Sequence, residues 1–351
     1  MIRIGLLGLS RPPRAKMPPG RERALLAEAA LHSARLLFIA AGDCDPEAGT
    51  VTAESWTGAG FARGTEPPPD VVVVVDRPLR PGTEPVLAWL GRVAPVVASF
   101  APDKLDLAAL LGASALAPHV IPATELPAEG TADALGAWLG REGPTVVKAA
   151  DGSRGGGLHF ILRDGSGGWV VRHGEAALAT DLDGAVAHVC RRIAGRQGYR
   201  RYLAQRFVPA RAADGRALDI RVHIQRDGTG GWDVTRAYVR LGEQGMPMSN
   251  VSRGGYQCEL APYLARRAGP RAAALEAELH AIALGVAARI EALRGAPIHE
   301  LGVDIALDEA DRPWIIEANA HPETSLHEHA RAMRLIAHAL HRARSWREGA
   351  R

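Results

Sequence analysis

Apolar and polar positions along the chain alternate in short stretches, recur at helical spacing in longer ones, and are separated by turn residues. Residues 2–9 and the unbroken β-branched run 71–75 have the form of buried strands, the second that of a central parallel strand. Between them, residues 21–37 carry a helical pattern (Leu25, Leu26, Ala29, Ala30, Leu36), and a further strand starts at 36–40. Strand, helix and strand predict a small α/β unit over residues 1–100. A second unit opens at 101–111, where Pro102 and Asp103 start a helix striped with Leu105, Leu107, Leu110 and Leu111.

The segment 144–162 reads as strand, glycine-rich loop, strand, with Lys148 at the end of the first strand and Asp151–Gly157 as the loop. Strands follow at 202–208, 218–225 and 234–241. The alternation of 218–225 puts Asp219, Arg221 and His223 on one face, and 234–241 puts Arg236, Tyr238 and Arg240 in phase. The heptapeptide RDGxGGW occurs twice, at 163–169 and 226–232, each time between β-rich segments, and predicts two hairpin turns needing positive φ. Helices are expected at 183–193, 269–293 and 326–346.

Residues 301–322 carry the densest chemistry. They predict two strands around a polar turn at 308–313. A fold about the middle of that turn sets Asp304 opposite Glu317, with Cβ atoms roughly 5 Å apart, and Asn319 on the same face. Val303, Ile305, Leu307, Trp314, Ile316 and Ala318 are then expected on the core face. Two facing carboxylates repel unless a proton or cation lies between them. With an amide oxygen they make a hard oxygen site suited to Mg²⁺ and its substrate phosphates; the alternative is a solvated acidic hairpin face.

Composition narrows the class. A chain of 351 residues is long enough for two or three cores, and a formal net charge of +3 gives no case for nucleic acid. Cys44, Cys190 and Cys258 stand far apart without CxxC spacing, so neither a disulfide framework nor a zinc site is expected. No apolar run approaches the ~18 residues of a membrane span. A cytoplasmic protein is expected, without nucleic-acid or membrane partners and with a homo-oligomer left open.

Several polar residues admit two readings. Lys104, in the first turn of a helix whose dipole disfavours it, is a surface lysine or a ligand contact. The glycine loop, with Ser153, Gly155 and Gly156, is a plain connection or a phosphate cover with Lys148 beside it; GxxxxGK[ST] is absent, which excludes a P-loop. Strand arginines need anionic partners, and Asp219–Arg240 is a candidate ion pair. Asn250, Arg253, Gly254 and Gly255 form a loop able to hold an anion through main-chain donors. The basic cluster Arg191, Arg192, Arg196, Arg200 and Arg201 reads as a solvated face. His321, Glu323, His327 and His329 match no HExxH pattern and read as exposed residues at a helix start.

The order Lys104, Lys148 with a glycine loop, Gln205, DIR, an arginine strand, NxxRGG, then GVD…EAN resembles the ATP-grasp enzymes. The segments QRFVPARAADGRALDIRVHIQRDGTGGW and LGVDIALDEADRPWIIEANAHP are most similar to the YheC/YheD group associated with spore coats. The likeness covers about residues 100–345. It implies an ATP-grasp fold, two α+β subdomains clasping ATP, behind the small N-terminal α/β domain. The ATP-grasp domain would span 101–345, with a lid subdomain at about 143–208 and a catalytic subdomain at about 209–345. It further implies that Lys104 and Lys148 contact phosphates and the adenine edge. Gln205, Arg206, Phe207 and Val208 would form the hinge strand beside adenine. Arg221 and Arg240 would face the γ-phosphate and acyl group, and Asp304, Glu317 and Asn319 would hold two Mg²⁺ ions. The implied activity joins a small-molecule or peptide carboxylate to an amine through an acylphosphate, with ADP released. The competing expectation is a coat-associated structural protein that keeps the nucleotide-binding fold without turnover. Glu323 after Pro322 replaces the glycine that many members carry there, which leaves the amine substrate the least defined part.

Overall fold

The alternating stretches resolve into three sheets, each packed against helices by its apolar positions. The structure is a computed structural model that describes residues 1–76, 82–152, 156–249 and 255–349. The first sheet has the order β4-β3-β2-β1-β5-β6, built from β1 (Arg3–Gly8), β2 (Arg35–Asp45), β3 (Thr50–Trp56), β4 (Phe61–Glu66), β5 (Val71–Val74) and β6 (Val96–Val97). The pairings β1–β2, β1–β5 and β5–β6 are parallel, as the β-branched run at 71–75 predicts, whereas β3 and β4 add an antiparallel edge. One face buries α1 (Pro19–Leu31), and the other buries α2 (Glu84–Val93) through Trp89 and Leu90. The α1 face also receives Ala332, Leu335, Ile336, Ala339 and Leu340 of the final helix α8 (Glu328–Gly349). The end of the chain therefore packs on its beginning, which no local pattern announces.

The second sheet has the order β11-β10-β9-β8-β12-β7. Its strands are β7 (Ala123–Leu126), β8 (Thr145–Ala149), β9 (His159–Arg163), β10 (Trp169–His173), β11 (Ala176–Thr180) and β12 (Tyr202–Arg206). Helix α3 (Lys104–Gly112) precedes it, capped by Asp103, whose carboxylate accepts from the Leu105 and Asp106 amides. Helices α4 (Thr131–Glu142) and α5 (Leu182–Gln197) cover one face through Leu135, Trp138, Val189 and Ile193.

The third sheet has the order β15-β14-β13-β16-β17, with β13 (Leu218–Arg226), β14 (Trp232–Leu241), β15 (Tyr256–Glu259), β16 (Glu300–Leu307) and β17 (Pro313–Asn319), all antiparallel. Leu218, Ile220, Val222 and Ile224 of β13 and Leu301, Val303 and Ile305 of β16 bury one face against α6 (Leu260–Ala268) and α7 (Ala272–Arg294). Strict alternation then leaves the polar side chains of both strands on the opposite face.

Both RDGxGGW segments close hairpins, β9–β10 and β13–β14, with Gly167 and Gly230 at φ 89° and 84°. In each, the aspartate (Asp164, Asp227) accepts from two loop amides and a hydroxyl. The arginine stacks over the tryptophan, Arg163 on Trp169 at 3.8 Å and Arg226 on Trp232 at 4.9 Å. The echo is a local folding cassette.

Candidate active site

The β16–β17 hairpin sets the geometry through one irregularity. Leu307 pairs with Pro313, Ala306 with Trp314 and Ile305 with Ile315; the register then shifts, and Asp304 pairs with Glu317 and Gly302 with Asn319. Ile316 is the bulged residue. Without the bulge, Asp304 would face Ile316 and Glu317 would lie opposite core-facing Val303. The residues expected on the core face all reach it, Ile316 only half-buried, and the bulge adds Ile315, 5% exposed, at the buried position opposite Ile305.

Asp304 is buried and gripped from two strands. Arg221 binds it with both Nε and Nη2, the latter at 2.9 Å, and Arg240 reaches the same carboxylate with Nη2 at 2.8 Å. Arg240 also chelates Asp219 at 2.5 and 2.7 Å, so the ion pair considered from sequence is present and extends to Asp304. Ser249 donates to Asp219 from the other side. Burial opposes ionisation of Asp304, but Arg221 and Arg240 outweigh it and hold the carboxyl below its ordinary range. Asn319 donates from Nδ2 to Glu317 at 2.9 Å and to Asp304 at 3.4 Å, an amide bridging two anions.

Two lysines approach from the second sheet and from α3. Lys104 is not a surface lysine: its Nζ lies 3.2 Å from Glu317 and 2.5 Å from the carbonyl oxygen of Gly152, where the glycine loop begins. Lys148 on β8 is buried and donates to Gln205 Oε1 at 2.7 Å across the β8–β12 pair. Burial first, and the Lys104 charge second, push its ammonium down to about 8, against the opposing pull of Glu317. In the segment that follows Gln205, Arg206 and Phe207 donate their amides to the carbonyls of Pro122 and Pro144 at 3.0 and 2.8 Å. The Phe207 ring meets Phe160 edge-on, and Arg206 lies over Trp314. Val208 packs partly buried against the third-sheet core.

Ser153, Gly155, Asn250, Arg253 and Gly254 lie outside the described residues. Gly156 and Gly255 lie just beyond those gaps, where β9 and β15 are approached. The basic cluster lies on an exposed face, as expected, with two members in ion pairs: Arg200 with Asp151, and Arg201 with Asp103, Asp106 and Glu125, tying α3 to the second sheet.

Sequence reasoning missed the continuation of this polar face. His327 is 7% exposed, not a surface histidine, and its Nε2 lies 2.9 Å from His223 Nδ1. His223 Nε2 meets Glu300 at 3.0 Å, and Glu300 is chelated by Arg331 of α8. The phase of His223 with Arg221 was visible in the sequence; its partners, some 80 to 100 residues away, were not.

Comparison with known proteins fits this geometry. A family model described as YheC/D-like ATP-grasp matches residues 94–345. The chain belongs to the YheC/D-like ATP-grasp family. It is 27% identical over 185 residues to the Endospore coat-associated protein YheD of Bacillus subtilis (strain 168). That match takes in 52% of this chain and 40% of the relative, so it spans less than half of the relative's length. Among solved structures, D-alanyl-alanine synthetase A of Vibrio cholerae superposes with a TM-score of 0.58 at 12% identity over 98% of both chains. D-cycloserine synthetase DcsG gives 0.53 at 18%, covering 96% and 98% of the two chains. A RiPP-associated ATP-grasp ligase of Chryseobacterium gregarium, solved with ADP and a leader and core peptide, gives 0.50 at 10% over 95% of each chain. At these identities the likeness is one of fold.

Proposed function

We propose that this YheC/D-like chain is an ATP-dependent carboxylate–amine ligase. One observation carries the reading. A buried carboxylate, Asp304, is held by Arg221 and Arg240, with Glu317 and Asn319 across the hairpin and Lys104 and Lys148 on the facing elements. Cations collected around paired carboxylates suit a polyphosphate bound with Mg²⁺, and solved ATP-grasp ligases share the fold.

The donor set fits such an ion. Mg²⁺ takes one or two carboxylates and draws its other ligands from phosphate and water; Glu317 would supply one, and Asp304 a second by giving up an arginine contact. Asn319 would join by turning its amide so that Oδ1, rather than Nδ2, points inward. The ion would neutralise charge on the β- and γ-phosphates. In the chain itself, Lys148 is fixed by Gln205 to meet phosphate, and Lys104 exchanges its contact with Glu317 for the nucleotide. A substrate carboxylate oxygen attacks the γ-phosphorus, the bond to the bridging β,γ-oxygen breaks, and ADP leaves. The amine nitrogen then attacks the acyl carbon, the C–O bond to phosphate breaks, and the amine proton passes to solvent. Arg221 and Arg240 stabilise the charge of both transfers.

The deciding experiment is ADP release with carboxylates, with and without amines. Release requiring both substrates, together with an amide product, supports ligation; release with a carboxylate alone, leaving a stable phosphorylated product, would replace it with a kinase. A second reading is a structural protein that binds ATP without turnover. It draws on the relative's description as coat-associated and on Asp304 being already neutralised by two arginines. ATP binding without ADP release across the panel would favour it.

A further inference from the structure

A cavity of about 190 Å³ lies outside the site described above, between the first sheet and α8. It sits beyond the carboxyl ends of β1 and β5. From β1 the chain crosses to β2 on one side and returns later as β5 on the other, and such a reversal of strand order is where open parallel sheets bind ligands. The loop that walls the cavity is preformed: a Cβ on Gly8 would lie 2.0 Å from the Arg11 carbonyl oxygen, so only glycine lets this turn fold back over the strand end. Asp76 pins it by accepting the Leu9 and Ser10 amides at 2.6 and 3.3 Å.

The lining is amphiphilic. Met17, Leu25, Val75, Ala332 and Leu335 form an apolar floor. Among the described residues, four cations, Arg11, Lys16, Arg21 and Arg331, stand against two carboxylates, Asp76 and Glu328. Arg21 is chelated by Glu328 and Arg331 by Glu300, but Arg11 and Lys16 have no carboxylate partner among the described residues. The volume lies below the roughly 300–1,000 Å³ of pockets that take drug-sized ligands and suits one apolar side chain with its carboxylate.

The cavity is joined to the Asp304 centre by the polar face of the third sheet. Arg331 lines the cavity and chelates Glu300, and Glu300 lies four residues from Asp304 on β16, a span of roughly 13 Å. With that strand length as the scale of the separation, a ligand anchored in the cavity and reacting near Asp304 would be about four extended residues long. We propose that this cavity anchors the carboxylate-bearing, apolar end of a peptide-sized substrate. This rests on the ligase reading and adds the substrate's length and the chemistry of its anchored end.

The test titrates the full chain with N-acetyl-leucine and N-acetyl-leucinamide by calorimetry, with a non-hydrolysable ATP analogue titrated separately. The acid should bind at least tenfold tighter than the amide. That preference should vanish in the Arg11→Ala/Lys16→Ala double variant, and Met17→Trp, which fills the cavity, should abolish binding. The ATP analogue should bind all three proteins alike. Equal binding of acid and amide, acid binding untouched by these substitutions, or no acid binding while the analogue still binds would each overturn the proposal and leave the ligase reading standing. ADP release stimulated as strongly by free leucine as by a tetrapeptide ending in leucine would overturn the spanning argument.

Discussion

Nucleotide binding should take up a proton through Lys148. In the free protein its ammonium titrates near 8, against an ordinary value of 10.5. That gap of about 2.5 on the pH scale corresponds to about 3 kcal/mol favouring the neutral amine, traced first to burial and then to Lys104. The sign follows from linkage. The folded value lies below the unfolded one, so the unfolded chain holds more protons between about pH 8 and 10.5. Stability therefore rises with pH across that window, and the penalty is felt in full below pH 8. A phosphate placed against Lys148 restores the charged form. The free protein's half-titration near pH 8 then sets the uptake on binding at about 0.1 proton at pH 7, about 0.5 at pH 8 and about 0.9 at pH 9. Calorimetry of a non-hydrolysable ATP analogue in two buffers of different ionisation enthalpy measures this number directly. Lys148→Met should abolish the rise, whereas Gln205→Glu, which adds a carboxylate beside the amine, should move it to higher pH. Uptake that stays flat from pH 7 to 9 in the wild-type chain would refute the assignment of Lys148 as the phosphate partner.

Further outcomes follow from the same geometry. Glu317→Gln, at a partly exposed position, should keep the melting temperature and lower ADP release by ~10²-fold or more. Asp304→Asn should lower the rate similarly but also destabilise by about 3–5 kcal/mol in urea unfolding, because it leaves Arg221 and Arg240 buried without their shared anion. Gly302→Ala should slow ADP release with little change in nucleotide affinity: a Cβ there would meet Pro322 at 2.8 Å and Arg221 at 3.0 Å, moving the arginine off Asp304. His327 titrates near 3 because of burial and then the His223 charge, below its ordinary 6.5. Its contribution is therefore complete above pH 6.5 and lost as pH falls toward 3, and His327→Gln should flatten that part of the stability profile in denaturant titrations.

Much of the architecture was legible because it is written in local periodicity. The β-branched run of β5, the alternation of β13 and β14 and the two RDGxGGW turns need only neighbouring residues to specify them. The pairing of Asp304 with Glu317 was also readable from the hairpin, since a tight turn limits register to a few choices. Which choice prevails was settled by the bulge at Ile316, where two residues oppose one to bury Ile315 and still turn Glu317 toward Asp304. The packing of α8 on the first sheet, the burial of His327 against His223, and the reach of Lys104 from a helix start to Glu317 depend on contacts far apart in sequence. Periodicity tells which face of an element is polar; only the folded chain determines what that face meets.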